Sequence, residues 1–546
     1  MRGRKLFEEL GNVREDFVQD TAKSLYEEDM KCQERSLYEE GKPVLRKKRR
    51  GKEKKYYRGI YGVAAAAAVV VLTVGGIGFH QLHMQEEKKM ASTGMVSGSA
   101  PTLEEGEAMT GIAELYGNNG NQNASKKSAE PLEYQVQSVS YPEPIDPMED
   151  DGYEPNGAYF AKLEEFYSGV LQGALVNEEG DNVVCSPVNL YLCMAMLTEM
   201  TGGETQKQIL DTLGQNSVVD VRKQSQKIWH NIYEDNDISR CILGNSLWLN
   251  ENIDFEQNVL EVLANNYYAS TYQGKMGLKD FDKTIQKWVN SMTGNALKKQ
   301  ADGIETQPDM AALLFSSAYF FDQWAVTFDE KKTKKGTFYN ADGSESICDF
   351  MKQTAEAGYI YNGERFQAME LSFAHEKSMY LFLPKKGVSV EEILQKDMEV
   401  ILNMGTIMEE ERKGVEWAKV TLKLPKFEIT TDELNLIPVL QQMGIEGLFD
   451  KTKADFTNFL SEAEQDNHQL WVNKVEQSAR IAIDEVGCSV ASYTEVGMRD
   501  MGGIPRKHYT FACNRPFLFV ISDGLLTTSG EWGDVPVFSG VVNEMK

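Results

Sequence analysis

Six histidines are the first candidates for chemistry: His80, His83, His230, His375, His468 and His508. None stands in H-E-x-x-H, and neither a G-x-S-x-G elbow nor a G-x-x-x-x-G-K-[ST] phosphate loop occurs. The seven cysteines, Cys32, Cys185, Cys193, Cys241, Cys348, Cys488 and Cys513, are odd in number and dispersed, with no C-x-x-C. They indicate neither a zinc ribbon nor a redox pair, and read mostly as small buried hydrophobes rather than a disulfide scaffold. Cys488 is a poor nucleophile. A thiolate needs an electropositive partner, and the neighbouring Asp484 and Glu485 raise a thiol pKa instead. No metal ligand set, cofactor motif or catalytic constellation is expected, and the chain does not read as an enzyme.

What remains is chemistry done to the chain. Asp484–Pro505 reads as a loop, with permissive Gly487, Gly497, Gly502 and Gly503 and few large apolar residues. Its first half also alternates. Cys488, Val490, Ser492, Thr494, Val496 and Met498 share one parity and are small, β-branched or apolar; Ser489, Ala491, Tyr493, Glu495, Gly497 and Arg499 share the other. As a strand the segment would turn the compact set inward and Tyr493, Glu495 and Arg499 outward. No proline interrupts it before Pro505. An exposed loop that is a strand in waiting, and an ordinary strand or linker, both fit the pattern.

After the loop come Phe511-Ala512-Cys513-Asn514-Arg515-Pro516-Phe517-Leu518-Phe519-Val520-Ile521 and a closing apolar run Pro536–Asn543. A glycine hinge, a loop, F-A-x-x-R-P-F-x-F-x-I and a last apolar strand resemble the C-terminus of the serpin family. The resemblance extends over about residues 157–546. Earlier matches are Asn182-Val183-Val184-Cys185-Ser186-Pro187, followed by an almost wholly apolar helix Val188–Met200; Thr205-x-x-Gln208; Trp288-Val289-Asn290; and Leu313–Trp324, a buried-strand signal. Ser186 suits a helix N-cap and Pro187 the first helical position. Thr205 and Gln208 suit a capping box, with Gly214 closing that helix.

The resemblance implies an α+β fold, several helices around a large mixed main β-sheet with smaller sheets and an exposed reactive loop. It implies an inhibitor that acts as a suicide substrate: a protease acylates itself on the loop, and the severed loop enters the main sheet as a new strand. The hinge would be Glu485, Val486, Gly487, Cys488, Ser489, Val490, Ala491 and Ser492. Val486 and Cys488 depart from the acidic residue and the Thr or Ser usual there. Counting along the loop places the reactive bond at Met501–Gly502, with Arg499–Asp500 and Met498–Arg499 as alternative registers. The shutter, where the sheet opens, would comprise Ser186, Pro187, Asn189, Ser316 and Gln477. There Gln477 replaces a histidine, Ser316 the asparagine it would meet, and Asn189 a serine. The implied partner is a protease, of serine type first and cysteine type second, met by a monomer without a cofactor. The alternative is a non-inhibitory serpin-fold binding or structural module whose loop is cut without trapping.

Charge divides the chain. The total is −26, yet residues 1–58 carry 17 basic and 12 acidic side chains, net +5, leaving −31 on the remainder. An acidic bulk argues against a nucleic-acid partner. Gly59–Phe79 contains no charged residue and, as a helix, is long enough to span a bilayer; ten Lys and Arg lie between Lys42 and Arg58 just before it. The expectation is a basic cytoplasmic tail (1–58), a transmembrane signal-anchor helix (59–79), a disordered extracytoplasmic stalk (80–156) and an extracellular domain (157–546), single-pass in the cell membrane. The short basic tail and simple stalk point to a bacterial source.

Overall fold

The computed structural model describes residues 66–78, 134–137, 139, 159–176, 180–235, 239–375, 377–488, 507–526 and 532–546. In chain order the strands are β1 (Ala66–Gly78), β2 (Gln135–Gln137), β3 (Val183–Cys185), β4 (Glu234–Asp235), β5 (Arg240–Asn250), β6 (Ala269–Gly274), β7 (Met310–Gln323), β8 (Lys334–Tyr339) and β9 (Glu345–Asn362). They continue with β10 (Phe366–Ser372), β11 (Ser378–Pro384), β12 (Val415–Pro425), β13 (Phe427–Asn435), β14 (His468–Ile483), β15 (Gly487–Cys488), β16 (His508–Ala512), β17 (Phe517–Leu526) and β18 (Trp532–Val542). Two nine-stranded sheets result. The main one runs β13-β14-β1-β7-β5-β6-β2, with β15 on β7 and β4 on β5; the other runs β16-β12-β9-β10-β11-β17-β18-β3, with β8 on β9. The main sheet is mixed, since β5 and β6 are parallel and the other pairs antiparallel. Helices pack around it, so the expected α+β architecture holds.

Helix α1 (Pro187–Met200) lies behind the main sheet and is buried along its whole length. Ser186 precedes it in an extended conformation, but its hydroxyl makes no capping bond. It donates to the Val537 carbonyl at 2.7 Å instead. Helix α2 (Lys279–Met292) covers the other face through Phe281, Ile285, Trp288 and Val289. The expected capping box at Thr205 and Gln208 does not form. That helix starts at Gly203, so Thr205 is already inside it, and Gln208 accepts the Glu446 and Gly447 amides at 3.0 and 2.8 Å.

Two expectations about the N-terminal third are corrected. Over Ala66–Gly78 the run expected as a membrane helix is a strand in the middle of the main sheet, antiparallel to β14 on one side and to β7 on the other. The physical reason lies in its residues. Alanines and β-branched Val and Thr suit a pleated strand, and a strand buried on both faces is a continuous apolar run, just as a membrane helix is. Ala66, Ala68, Val70, Leu72 and Val74 enter the main core, while Ala67 and Val69 join the cluster under α2. Among the described residues no helix is long and apolar enough to cross a membrane. The segment expected as stalk supplies β2, which extends the sheet beyond β6. Tyr134 meets Phe281 edge-on at 5.3 Å, and its carbonyl accepts the Gln273 amide.

Candidate functional site: the root of the loop and the main sheet

Strand β14 delivers the chain to the loop, and its exit is bound at several points. The Val486 carbonyl accepts the Trp324 amide at 2.9 Å, the Glu485 carbonyl accepts the Phe328 amide at 2.8 Å, and the Trp324 indole donates to the Asp484 carbonyl at 3.0 Å. Gly487 and Cys488 then pair antiparallel with Gln323 and Asp322 at the end of β7. Gly487 has φ +140°, and a Cβ there would stand 2.6 Å from the Asp322 carbonyl oxygen and 2.8 Å from the Trp324 nitrogen. Both are backbone atoms, so only glycine fits.

Charges fix the same corner. Glu485 is held by Lys426 at 2.7 Å and by the Thr333 hydroxyl at 2.8 Å. Burial opposes its ionisation, but these two partners outweigh burial and hold its pKa below the usual carboxylate value. Asp484 turns the other way. Burial raises its pKa against the pull of the Val486 and Gly487 amides on its carboxylate. Cys488 is fully buried, and burial first, then Asp484 and Asp322, push its thiol well up. The acid that acts beside Asp484 is thus Asp322 from β7, because Glu485 faces Lys426. Asp322 in turn lies 3.1 Å from His375 Nδ1. Among the described residues no group of three or more His, Cys, Asp or Glu is placed to hold a metal.

Further along β7 and β14 lies the shutter. Gln477 and Ser186 exchange two bonds: the Ser186 amide donates to Gln477 Oε1 at 2.9 Å, and Gln477 Nε2 donates to the Ser186 carbonyl at 3.0 Å. Ser316 Oγ donates to Asn189 Oδ1 at 2.6 Å, and Asn189 Nδ2 donates to the Ser316 carbonyl at 3.0 Å. The expected meeting of Gln477 with Ser316 does not occur. Val70 of β1 is the ladder partner of both residues and stands between them. Asn189 Nδ2 also reaches the Ala68 carbonyl at 3.4 Å. Pro187 opens α1 and presents no donor there.

The structure therefore gathers Glu485, Val486, Gly487 and Cys488 at one end of the β7–β14 gap and Ser186, Asn189, Ser316 and Gln477 midway along it. Ser489, Val490, Ala491 and Ser492, and the reactive-bond candidates Met501, Gly502, Arg499 and Asp500, lie outside the described residues. Sequence reading missed the roles of Trp324, Thr333 and Lys426 in tying down the loop's root. An aromatic at the end of a buried strand gave the one usable hint.

A family profile described as "Serpin (serine protease inhibitor)" matches residues 163–529. With that match laid on this two-sheet architecture and shutter, the chain belongs to the serpin family. An uncharacterized serpin-like protein of Methanosarcina mazei is 27% identical over 392 residues, 68% of this chain and 84% of that protein. Human antithrombin-III is 24% identical over 364 residues, 64% of this chain and 75% of that one. Among solved structures, the thermophilic serpin tengpin in its native state superposes with a TM-score of 0.58 at 22% identity, covering 72% of this chain and 96% of that one. That likeness speaks for the fold.

Proposed function

We propose that this serpin is a protease inhibitor, not an enzyme, and that it works as a suicide substrate through the loop after β14. The observation that carries the reading is the pairing of Gly487 and Cys488 on the end of β7: the root of the loop is already the first rung of a strand. Cutting the loop would free the following residues to continue that ladder once β1 has left its place on β7. Movement of the acylated end would draw the protease away before water completes hydrolysis. Met501–Gly502 as the reactive bond suits a serine endopeptidase with an apolar pocket, of chymotrypsin, elastase or subtilisin type. Arg499–Asp500 suits a trypsin-like enzyme, and a cysteine protease is the second class of target.

The proposed setting is the outer face of a cell membrane, with Gly59–Phe79 as anchor and residues 1–58 inside. Its support is the uncharged run and the basic cluster before it. Residues Ala66–Gly78 cannot be anchor and β1 at once, so the anchored and the strand-docked chain are alternative forms. A second reading, a serpin-fold module whose loop is cut without trapping, is favoured by one observation: the strand position between β7 and β14 is filled.

The test is to incubate the full chain with serine and cysteine endopeptidases, separate the products on denaturing gels and sequence any released C-terminal peptide. A covalent band at the summed mass less the released peptide 502–546, with Gly502 as that peptide's new N-terminus, is expected. Loop cleavage that leaves the protease active and uncoupled would favour the second reading.

A further inference from the structure

The register of the main sheet says which residues compete for its centre. Gly487 lies opposite Gln323 and Cys488 opposite Asp322. A chain continuing one residue for one in that ladder brings Val490 opposite Phe320 and Met498 opposite Ala312. Those ladder positions belong to β1, where Ala66 faces Phe320 and Val74 faces Ala312 with no bulge between. The other edge of β1 is spent on β14, from Ala66 opposite Ile481 to Gly78 opposite His468. Neighbouring strands lie about 4.8 Å apart, so one place between two strands holds one strand.

We propose that the gap between β7 and β14 is a peptide-binding site whose resident ligand is Ala66–Gly78, and that this segment and the reactive loop compete for it. The proposal rests on the insertion mechanism proposed above. The loop takes in its inward residues Val490, Ser492, Thr494, Val496 and Met498 where Ala66, Ala68, Val70, Leu72 and Val74 now sit in the core. Its other parity brings Tyr493 to the place of Val69, which is 2% exposed and packed in the cluster under α2. That face is covered, so a tyrosine there forces α2 outward, whereas valine fits it. The resident is the better-matched occupant. A chain with the segment docked cannot take in its loop and behaves as a substrate; a chain with the segment withdrawn, as in a bilayer, traps.

The test is a cross-link followed by a cut. Val71 faces Glu476 across the β1–β14 ladder, and neither is fully buried. Directly opposite strand positions have the separation a disulfide needs. In the full chain carrying Val71→Cys and Glu476→Cys, mild oxidation is expected to join the two positions, identified by peptide mapping. Absence of the link overturns the occupancy. Brief trypsin treatment, cutting after Arg499, then asks whether the freed loop enters the sheet, which reads as a rise in thermal midpoint. The cross-linked chain is expected to show no rise. Full chains with Val70→Asp or Ala68→Glu, two independent ways of expelling the segment, are expected to show a clear one. A rise in the cross-linked chain, or no gain in either expelled variant, overturns the competition. Failure of the inhibitory reading looks different: no covalent protease complex forms in any variant while the cross-link and the thermal shifts remain.

Discussion

Gly487 sits where β14 hands the chain to the loop, at a φ of +140° and against two backbone atoms. Gly487→Ala must either pull the loop's root off β7 or hold strain of about 1–3 kcal/mol. The Trp324 amide, which donates to the Val486 carbonyl, is the reporter. Its hydrogen exchange is expected to accelerate in the variant while amides of β5 are unchanged. Glu485 gives a prediction with a pH signature. Its pKa is lowered in the fold, so its contribution is complete above the ordinary carboxylate range and is lost as pH falls through the lowered value. Glu485→Gln is therefore expected to destabilise the protein at pH 7 by about 1 kcal/mol, the scale of a partly exposed ion pair. The gap between variant and parent should hold down through the ordinary carboxylate range and close only at a more acid pH, below the lowered value, where the parent carboxylate also loses its charge. Thermal unfolding at both pH values checks it. Part of this corner was legible in the sequence: Gly487 was identifiable as a permissive backbone position and Asp484 as an acid that raises the Cys488 thiol, but the second acid is Asp322 from β7 and not the adjacent Glu485. The partners of Glu485 were not legible, because Thr333, just before β8, and Lys426, between β12 and β13, reach it from connections far away in sequence.

At the scale of elements, the buried helix, the central strand and the closing strands could be read from apolar runs and from Ser-Pro and Gly punctuation. Those signals are local, and tertiary contacts did not override them. The Thr205–Gln208 pair misled because its spacing is that of a cap while the chain begins the helix three residues earlier, with Gly202 at the N-cap, freeing Gln208 to bind Glu446 and Gly447. Ala66–Gly78 misled for a deeper reason. Hydropathy measures distance from water and is silent on whether lipid or protein supplies the shelter. Only the register with β7 and β14 decides between them, and register is a property of three segments together. Asn189 is where α1 grips the main sheet, bonding the Ser316 and Ala68 carbonyls while accepting the Ser316 hydroxyl. Asn189→Ala leaves a buried hydroxyl and two buried carbonyls short of a partner. It is expected to destabilise the protein by about 1–3 kcal/mol in denaturant unfolding.

For the whole molecule, the filled centre has a meaning beyond control of the loop. Two strands held apart with free main-chain donors and acceptors will take any extended segment of suitable side chains, including one from a neighbouring molecule. Such an exchange is head-to-tail and does not close, so it builds open chains. With β1 in place the inner edge of β7 from Met310 to Phe320 and that of β14 from His468 to Ile481 are paired from within the same polypeptide. On warming at high concentration the parent protein is expected to remain monomeric by light scattering, whereas Val70→Asp forms soluble oligomers at a lower temperature. A strand drawn from outside the family-matched residues thus serves as a stopper, sealing each copy of the protein against its own kind.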